Sequence, residues 1–215
     1  MTDLQVTTAD LAPYESAFDS PLTIPVAVAD QLFRQAATAY SFSDEPVTDE
    51  QLRAVYDLLK WGPTAMNSQP LRVVLVKSGA ARARLVEHMA GNNKERTAAA
   101  PLVAVLAADV DFHDELDRVF PVLPGAKDNF ADEQGRAAMA HTSAVLQAGY
   151  FIVGVRAAGL AAGPMAGFDA EAVSEEFFPG GRHRVFMVVN LGHIAEGSYR
   201  PRLPRLDYDE VVATV

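Results

Sequence analysis

The stretch "PVTDEQLRAVYDLLKWGPTAMNSQP", residues 46–70, contains a helix signal and a polar joint that leads into a strand, and it decides the fold class. Thr48 and Gln51 have the spacing of a capping box, and the apolar residues behind them recur at helical intervals. Gly62 and the proline after it end this helix. The apolar run at residues 71–76 then predicts a buried strand, so helix and strand alternate around the joint.

Two further apolar runs predict strands, at residues 101–109 and 184–192. Helices are predicted near residues 29–39 and from about residue 134 to residue 158. A tight turn is predicted at residues 164–168, directly after the long helix. Three strands separated by helices, without an internal repeat, indicate a layered α/β or α+β protein.

The first 24 residues lack helical and strand periodicity, so we expect an irregular arm at residues 1–24 and a single domain at residues 25–215.

The formal net charge is -10, which disfavours nucleic acid and anionic membrane as partners. The chain has no cysteine, which excludes disulfides, thiolate catalysis and cysteine metal sites. We see no secretory signal and no apolar run of about 20 residues, and therefore predict a cytoplasmic protein.

Several common catalytic patterns do not occur in this sequence. There is no G-x-G-x-x-G run after a strand and no phosphate-binding G-x-x-x-x-G-K-[ST] run. The five histidines lack metal-ligand spacing, so no metal site is predicted. His141 lies on the long apolar helix, either as a hydrogen-bonded core residue or as a ligand contact. What remains is uncharged donors on loops together with isolated arginines, a set that suits a planar, polar cofactor.

Three stretches in order along the chain resemble the nitroreductase family of flavoproteins: "WGPTAMNSQP", "GLAAGPMAGFD" and "YRPRLPRL". More narrowly, they are similar to the branch that contains malonic semialdehyde reductase. The resemblance covers roughly residues 30–212. It implies an α+β, three-layer fold with a central mixed sheet flanked by helices.

The resemblance also implies how such a protein works. FMN would be bound at the interface of a homodimer, NADH or NADPH would deliver hydride to the flavin, and the reduced flavin would pass it through N5 to a small-molecule acceptor. The acceptor would be a semialdehyde, a nitro compound, a quinone or an enone. No side chain is assigned as a catalytic acid or base.

Two loops are expected to approach the flavin ring. By resemblance, the polar joint meets the ring of the flavin held mainly by the other subunit, and its ring-facing residues are Pro63, Thr64, Ala65 and Asn67. The second loop would bring backbone N–H groups to N5, and its residues are Pro164, Met165, Ala166 and Gly167. Small residues suit this second loop because the backbone must come close to the ring.

Charged residues are expected at the other end of the flavin. Asn93 and Arg96 match a family pair near the ribityl chain and the pyrimidine edge, while Arg200 and Arg202 match phosphate-binding cations. The family's usual phosphate arginine is replaced here by Ala37. Arg34, one turn earlier, is a candidate to replace it.

Plainer interpretations stay open for each element. The joint could be a surface turn, the Pro164–Gly167 loop a helix-terminating turn, and the arginines partners of surface carboxylates. Two alternatives to an enzyme also stay open: a flavin-binding or flavin-storage protein without turnover, and a structural dimer whose cleft has lost its ligand.

Overall fold

The computed structural model describes residues 22–215. The predicted arm, residues 1–24, therefore lies outside the described residues except for its last three. Within the described part the core is one sheet of four strands, β1 Leu71–Val76, β2 Leu102–Asp109, β3 Ala161–Met165 and β4 His183–Gly192. The strands lie in the order β1-β2-β4-β3.

The helices lie between and beyond these strands. They are α1 Val26–Ala29, α2 Asp49–Leu59, α3 Gly79–His88, α4 Asn93–Ala99, α5 Leu116–Val119, α6 Glu133–Ala157, α7 Ala170–Phe177 and α8 Tyr208–Val211. A π-helical turn, Asp30–Arg34, directly follows α1. The first predicted helix therefore ends at Arg34, several residues earlier than expected.

Strand β2 shows why the protein has three layers. All eight of its residues are buried, because successive side chains point to opposite faces and both faces are covered. Leu102, Ala104 and Leu106 pack with residues of α2 and α6. The alternate residues of β2 pack with residues of α3 and α7 on the other face. The α+β, layered class predicted from the sequence is confirmed.

Two details of the sheet differ from the expectation. Every pairing among the four described strands is antiparallel, so this sheet is not mixed as the resemblance implied. The fourth strand, β3, occupies residues predicted to be the end of a helix and a turn. The sequence does not predict this strand because it contains Gly163 and Pro164, and neither residue favours a strand. The strand forms by pairing with the edge of β4, where Gly163 lies opposite Asn190.

Helix α6 confirms the predicted long helix almost to the residue, but it is not buried all round. Its inner face holds eight buried residues, among them Ser143 and Gln147. The opposite face is exposed and apolar, with Leu146 46% and Tyr150 44% exposed. His141 also lies on this exposed face and packs edge-on against the Phe186 ring, so its interpretation as a core histidine was wrong.

Length and composition alone would allow α6 to cross a membrane. The same is true of many core helices, and the inner face of α6 packs against α2 and the sheet. The burial of that face accounts for its apolar character.

Candidate functional site

A cavity of about 270 Å³ opens beside β3. It lies between the end of β3, the start of α4 and the segment that leads from the π-helical turn to α2. Its lining residues are Thr38, Ala39, Tyr40, Asn93, Arg96, Gly163, Pro164, Met165 and Asn190. Four residues predicted from the resemblance therefore meet here, from two segments about 70 positions apart in the sequence: Asn93 and Arg96 lie in α4, and Pro164 and Met165 lie at the end of β3.

The loop after β3 is held close to α4 by its own backbone. The Gly167 carbonyl accepts hydrogen bonds from Ala90 N–H at 3.0 Å and from Asn93 Nδ2 at 3.1 Å. A Cβ added at Gly167 would lie 2.7 Å from Asn93 Nδ2, so a side chain at this position would displace the amide. Ala166 and Gly167 are themselves exposed at the surface. The backbone here is thus accessible to a flat ligand.

Tyr40 forms the wall between this cavity and the next. Two guanidinium groups contact its ring, with the Arg96 carbon 4.6 Å and the Arg200 carbon 4.2 Å from the ring centroid. Its backbone N–H donates to Ser198 Oγ at 3.1 Å, which ties the segment to the C-terminal tail. Each guanidinium is attracted to the electrons of the ring.

A second cavity of about 420 Å³ adjoins the first and shares Thr38 and Tyr40 with it. It lies between the segment before α2 and the C-terminal tail. Its other lining residues are Ala36, Ala37, Arg200, Pro201, Arg202, Leu203 and Arg205. Three arginines around one cavity attract an anion, and arginine binds both phosphate and carboxylate in a bidentate manner.

The three arginines are not equivalent. Arg202 donates through Nη2 to the backbone carbonyls of Arg34 and Ala36, so much of its bonding capacity stabilises the end of the π-helical turn. Arg205 donates to the carbonyls of its neighbours Leu203 and Pro204. Arg200 is exposed and stacks on Tyr40.

Arg34 does not lie where the sequence argument put it. Its Nη1 is 2.7 Å from Asp30 Oδ1, one turn earlier on the same helical segment, and it lines neither of the two cavities. The geometry therefore favours the tail arginines over Arg34 as replacement for the arginine absent at Ala37. The reason is local: an i,i+4 carboxylate competes for the guanidinium.

The polar joint lies on the opposite edge of the sheet, just before β1. Three non-glycine residues of the joint have positive φ angles: Met66 at 53°, Asn67 at 51° and Gln69 at 44°. Such backbone is strained and persists only where surrounding bonds enforce it. Asn67 Nδ2 donates to the Val119 carbonyl at 2.8 Å, and Thr64 Oγ1 accepts from Gln69 N–H at 3.2 Å.

None of the four predicted residues of the joint, Pro63, Thr64, Ala65 and Asn67, lines the two cavities. The joint precedes β1 and the second loop follows β3, which are the two edge strands of the sheet. Three strand spacings separate them, or about 14 Å. One chain therefore presents the two loops too far apart to hold one ring system between them.

Sequence reasoning missed Tyr40, Asn190 and Arg205 as lining residues. Asn190 carried a signal, because it is a polar residue inside the apolar run of β4 and is only 2% exposed. Tyr40 carried none, since an aromatic residue after a helix is ordinary. Arg205 lies in the stretch "YRPRLPRL" that carries the resemblance, but it was given no role.

A cluster of charged residues at the far end of β2 has a different character. The Asp109 carboxylate, 1% exposed, accepts from Arg72 Nη2 at 2.7 Å and from Arg182 Nε at 2.8 Å. Its hydrogen bond to Arg182 raises the pKa of that guanidinium. Burial lowers the pKa of His183, and the two arginines lower it further against the opposing effect of Asp109. Because its charges are internally paired, this cluster is structural.

Known proteins resemble this chain in sequence. The nitroreductase family model matches residues 33–193. A Streptomyces coelicolor protein provisionally named NADH dehydrogenase/NAD(P)H nitroreductase is 57% identical over 195 residues, which cover 90% of this chain and 99% of the relative.

Solved structures show the same fold. A protein from Bacillus subtilis, provisionally named a nitroreductase, superposes with a TM-score of 0.77 at 25% identity, covering 89% of this chain and 100% of that chain. Another from Exiguobacterium sibiricum, solved in complex with FMN, gives a TM-score of 0.76 at 16% identity and covers 86% and 96%. From the family match and the close relatives, this chain belongs to the nitroreductase family.

Proposed function

We propose that this chain is an FMN-dependent NAD(P)H oxidoreductase that reduces a small organic acceptor. The observation that carries the proposal is the pair of adjoining cavities, one lined by amides and close-approaching backbone and the other by arginines. The names of the relatives point the same way, since the Streptomyces coelicolor protein is named for NAD(P)H and the Exiguobacterium sibiricum structure contains FMN.

The residues present fit the chemistry of FMN. Its flat ring needs accessible backbone and neutral donors, which exposed Ala166 and Gly167 and the Asn93 amide supply. Its phosphate needs cations, which the tail arginines supply. The Asn190 amide, which lines the first cavity, is buried, and its oxygen has no hydrogen-bond partner within residues 22–215.

When bound, FMN would take hydride from NADH or NADPH at N5 and give it to the acceptor. The chain's part is to bind and orient. Arg96 brings a positive charge to the same cavity as Asn93, where it would stabilise negative charge on a reduced ring. The Tyr40 ring contacts both Arg96 and Arg200 and so helps to hold them in place.

We further propose a homodimer. The joint and the loop after β3 lie on opposite edges of one sheet, so both can meet one flavin only if a second copy contributes its joint. The chain also exposes large apolar side chains that a partner would cover, including Trp61 at 79% and Leu146 at 46% exposed.

The acceptor is proposed only as a class: a semialdehyde, as in the malonic semialdehyde reductase branch, or a nitro compound, quinone or enone. A small acceptor follows from the mechanism, because it must enter the space that the nicotinamide has left. The proton that accompanies hydride transfer is not assigned to a side chain, since neither Asn93, Arg96 nor Arg200 is a suitable acid near neutral pH.

The test is direct. Protein purified and then loaded with FMN should show a flavin absorbance spectrum that NADH or NADPH bleaches in stopped-flow mixing. Adding an aldehyde, a nitroarene or a quinone should restore the spectrum, and the fastest of these identifies the acceptor class. Protein that stays colourless after incubation with excess FMN would rule the proposal out.

A flavin-binding protein without turnover is the second candidate. It is favoured by one observation, the alanine at position 37 together with the pairing of Arg34 to Asp30, which removes a cation from the phosphate end. The same stopped-flow experiment separates the two functions. A storage protein would bind FMN but would not be bleached by either nicotinamide at a rate faster than free FMN.

A further inference from the structure

Asn190 occupies an unusual position. It lies in β4, paired with Gly163 of β3 on one side and with Val103 of β2 on the other. Its neighbours along the strand are Val189 and Leu191, both fully buried. The residue is 2% exposed, and its Oδ1 atom has no hydrogen-bond partner within the described residues. A buried amide oxygen of this kind costs stability in the protein without ligand.

The cavity explains why an amide would be kept there. Asn190 lines its inner side, next to Gly163, where a Cβ would collide with the Ala39 carbonyl at 2.8 Å. The polar side chains on the other walls include Asn93, whose Nδ2 is a donor already bound to the Gly167 carbonyl, and the Arg96 guanidinium. The Asn190 amide can both donate and accept a hydrogen bond, so a ligand group that can also do both, such as a hydroxyl, would suit it.

The neighbouring cavity indicates which ligand group this is. The arginine-lined cavity adjoins this one, and Thr38 and Tyr40 line both. A phosphate held among the arginines would place the part of the ligand attached to it, a polyol chain in FMN, in the compartment beside Asn190. Each polyol hydroxyl can donate one hydrogen bond.

We propose that Asn190 is a cofactor-binding residue whose side-chain amide forms a hydrogen bond with a hydroxyl group of the ribityl chain. The inference rests on the proposed function, since it assumes that the ligand is a flavin. It gives a residue of β4 a role in binding, in addition to the ring-facing loops and the arginines. It also predicts opposite effects of one substitution on the free and the bound protein.

The experiment uses Asn190→Leu, which has nearly the shape of asparagine but no polar atom. Dissociation constants are measured by flavin fluorescence for FMN, for riboflavin and for lumiflavin, which has the same ring but no polyol. FMN and riboflavin should bind about tenfold more weakly, the effect of one lost hydrogen bond to a neutral group. Lumiflavin should bind as it does to the unmodified protein, and the melting temperature without flavin should not fall.

Controls keep the result interpretable. Asn129→Leu makes the same change in an exposed turn and should leave all three affinities unaltered. Asn190→Ser is a smaller second variant, for use if the leucine does not fold. If riboflavin and lumiflavin keep their original ratio of affinities in the Asn190 variants, the inference is overturned. If the unmodified protein binds no flavin at all, the proposed function itself fails, and this inference falls with it.

Discussion

Arg200 is the residue on which the charge at the phosphate end depends most. Alanine stands at position 37, Arg34 is paired with Asp30, and Arg202 is bonded to two backbone carbonyls. Arg200 keeps its guanidinium on the Tyr40 ring at the border of the two cavities. A cation held by a ring rather than by a carboxylate keeps its full charge for an incoming phosphate.

Replacing Arg200 by alanine should weaken FMN binding by about 10- to 100-fold, because one charge-assisted contact is lost. Riboflavin, which has no phosphate, should bind within about twofold of its original affinity. Fluorescence titration with both ligands makes the comparison, and Arg118→Ala, at an exposed position on α5, is the matched control. An equal loss for both ligands would place Arg200 at the ring or the polyol instead.

Asp109 is a second residue on which much depends, for stability rather than binding. Its carboxylate is buried, and it joins Arg72 of β1 to Arg182 just before β4, so it fastens three strands at one end of the sheet. The arginines reach solvent on their outer sides, with 35% and 37% of their side chains exposed. Solvent therefore partly screens both ion pairs, and it would partly solvate the two arginines if the carboxylate were removed.

Asp109→Asn should lower the free energy of unfolding by about 3 kcal/mol, the lower end of the range of about 3–5 kcal/mol for breaking a buried pair. Urea denaturation followed by circular dichroism measures the change. Asp57→Asn breaks an exposed pair with Lys60 and should change stability little. Similar effects of the two substitutions would show that the Asp109 cluster does not fasten the strands.

At the scale of elements, α2 is the piece of the protein whose formation is most locally determined. Thr48 Oγ1 accepts from Gln51 N–H at 3.1 Å, and the Gln51 side chain accepts from Thr48 N–H at 3.0 Å, which confirms the predicted capping box. Val55 and Leu59 then bury the helix against the core that α6 shares. The helix ends just before the polar joint, so its position sets where the joint begins.

Thr48→Ala removes the cap without touching the core, because Thr48 is exposed. Stability should fall by about 1 kcal/mol, the usual effect of losing an N-cap side chain. Thr48→Asp keeps an acceptor at the cap and should retain most of the original stability. Thermal and urea unfolding are measured side by side for the two variants. Equal stability of the alanine and aspartate variants would contradict the prediction.

At the scale of the whole molecule, α6 has two apolar faces and one chain covers only one of them. Leu146 and Tyr150 lie on the uncovered face, and His141 is exposed as well, contrary to its interpretation as a core residue. The two ring-facing loops lie on opposite edges of the sheet. Both facts have the same explanation if α6 packs against a second copy, which is the homodimer proposed above.

Leu146→Arg places a charge in the centre of that proposed interface. Sedimentation should show a shift from dimer to monomer, and FMN binding should weaken with it, since the partner's joint would be lost. Ala83→Arg adds the same charge to the exposed side of α3 and should change neither property. A monomeric unmodified protein that binds FMN tightly would be incompatible with the proposed dimer.

Much of this architecture is determined by the sequence alone, because its signals are local. The caps and periodicity of α2 and α6 and the apolar runs of β1, β2 and β4 each lie within one segment, and all five elements appear where predicted. The family, too, follows from three short motifs in order. The cofactor-binding role of the individual residues and the cytoplasmic location stay predictions.

Only the tertiary structure decided the rest. Strand β3 contains Gly163 and Pro164 and forms because β4 presents a free edge. Arg34 and Arg202 carry the right charge for phosphate, yet Asp30 and two backbone carbonyls engage them first. Asn190 became a candidate only when its amide proved to be buried at the wall of a cavity, with no partner for its oxygen in the described part of the chain. The physical reason is the same in each case: strand pairing, competition for a charge and burial depend on residues far apart in the chain.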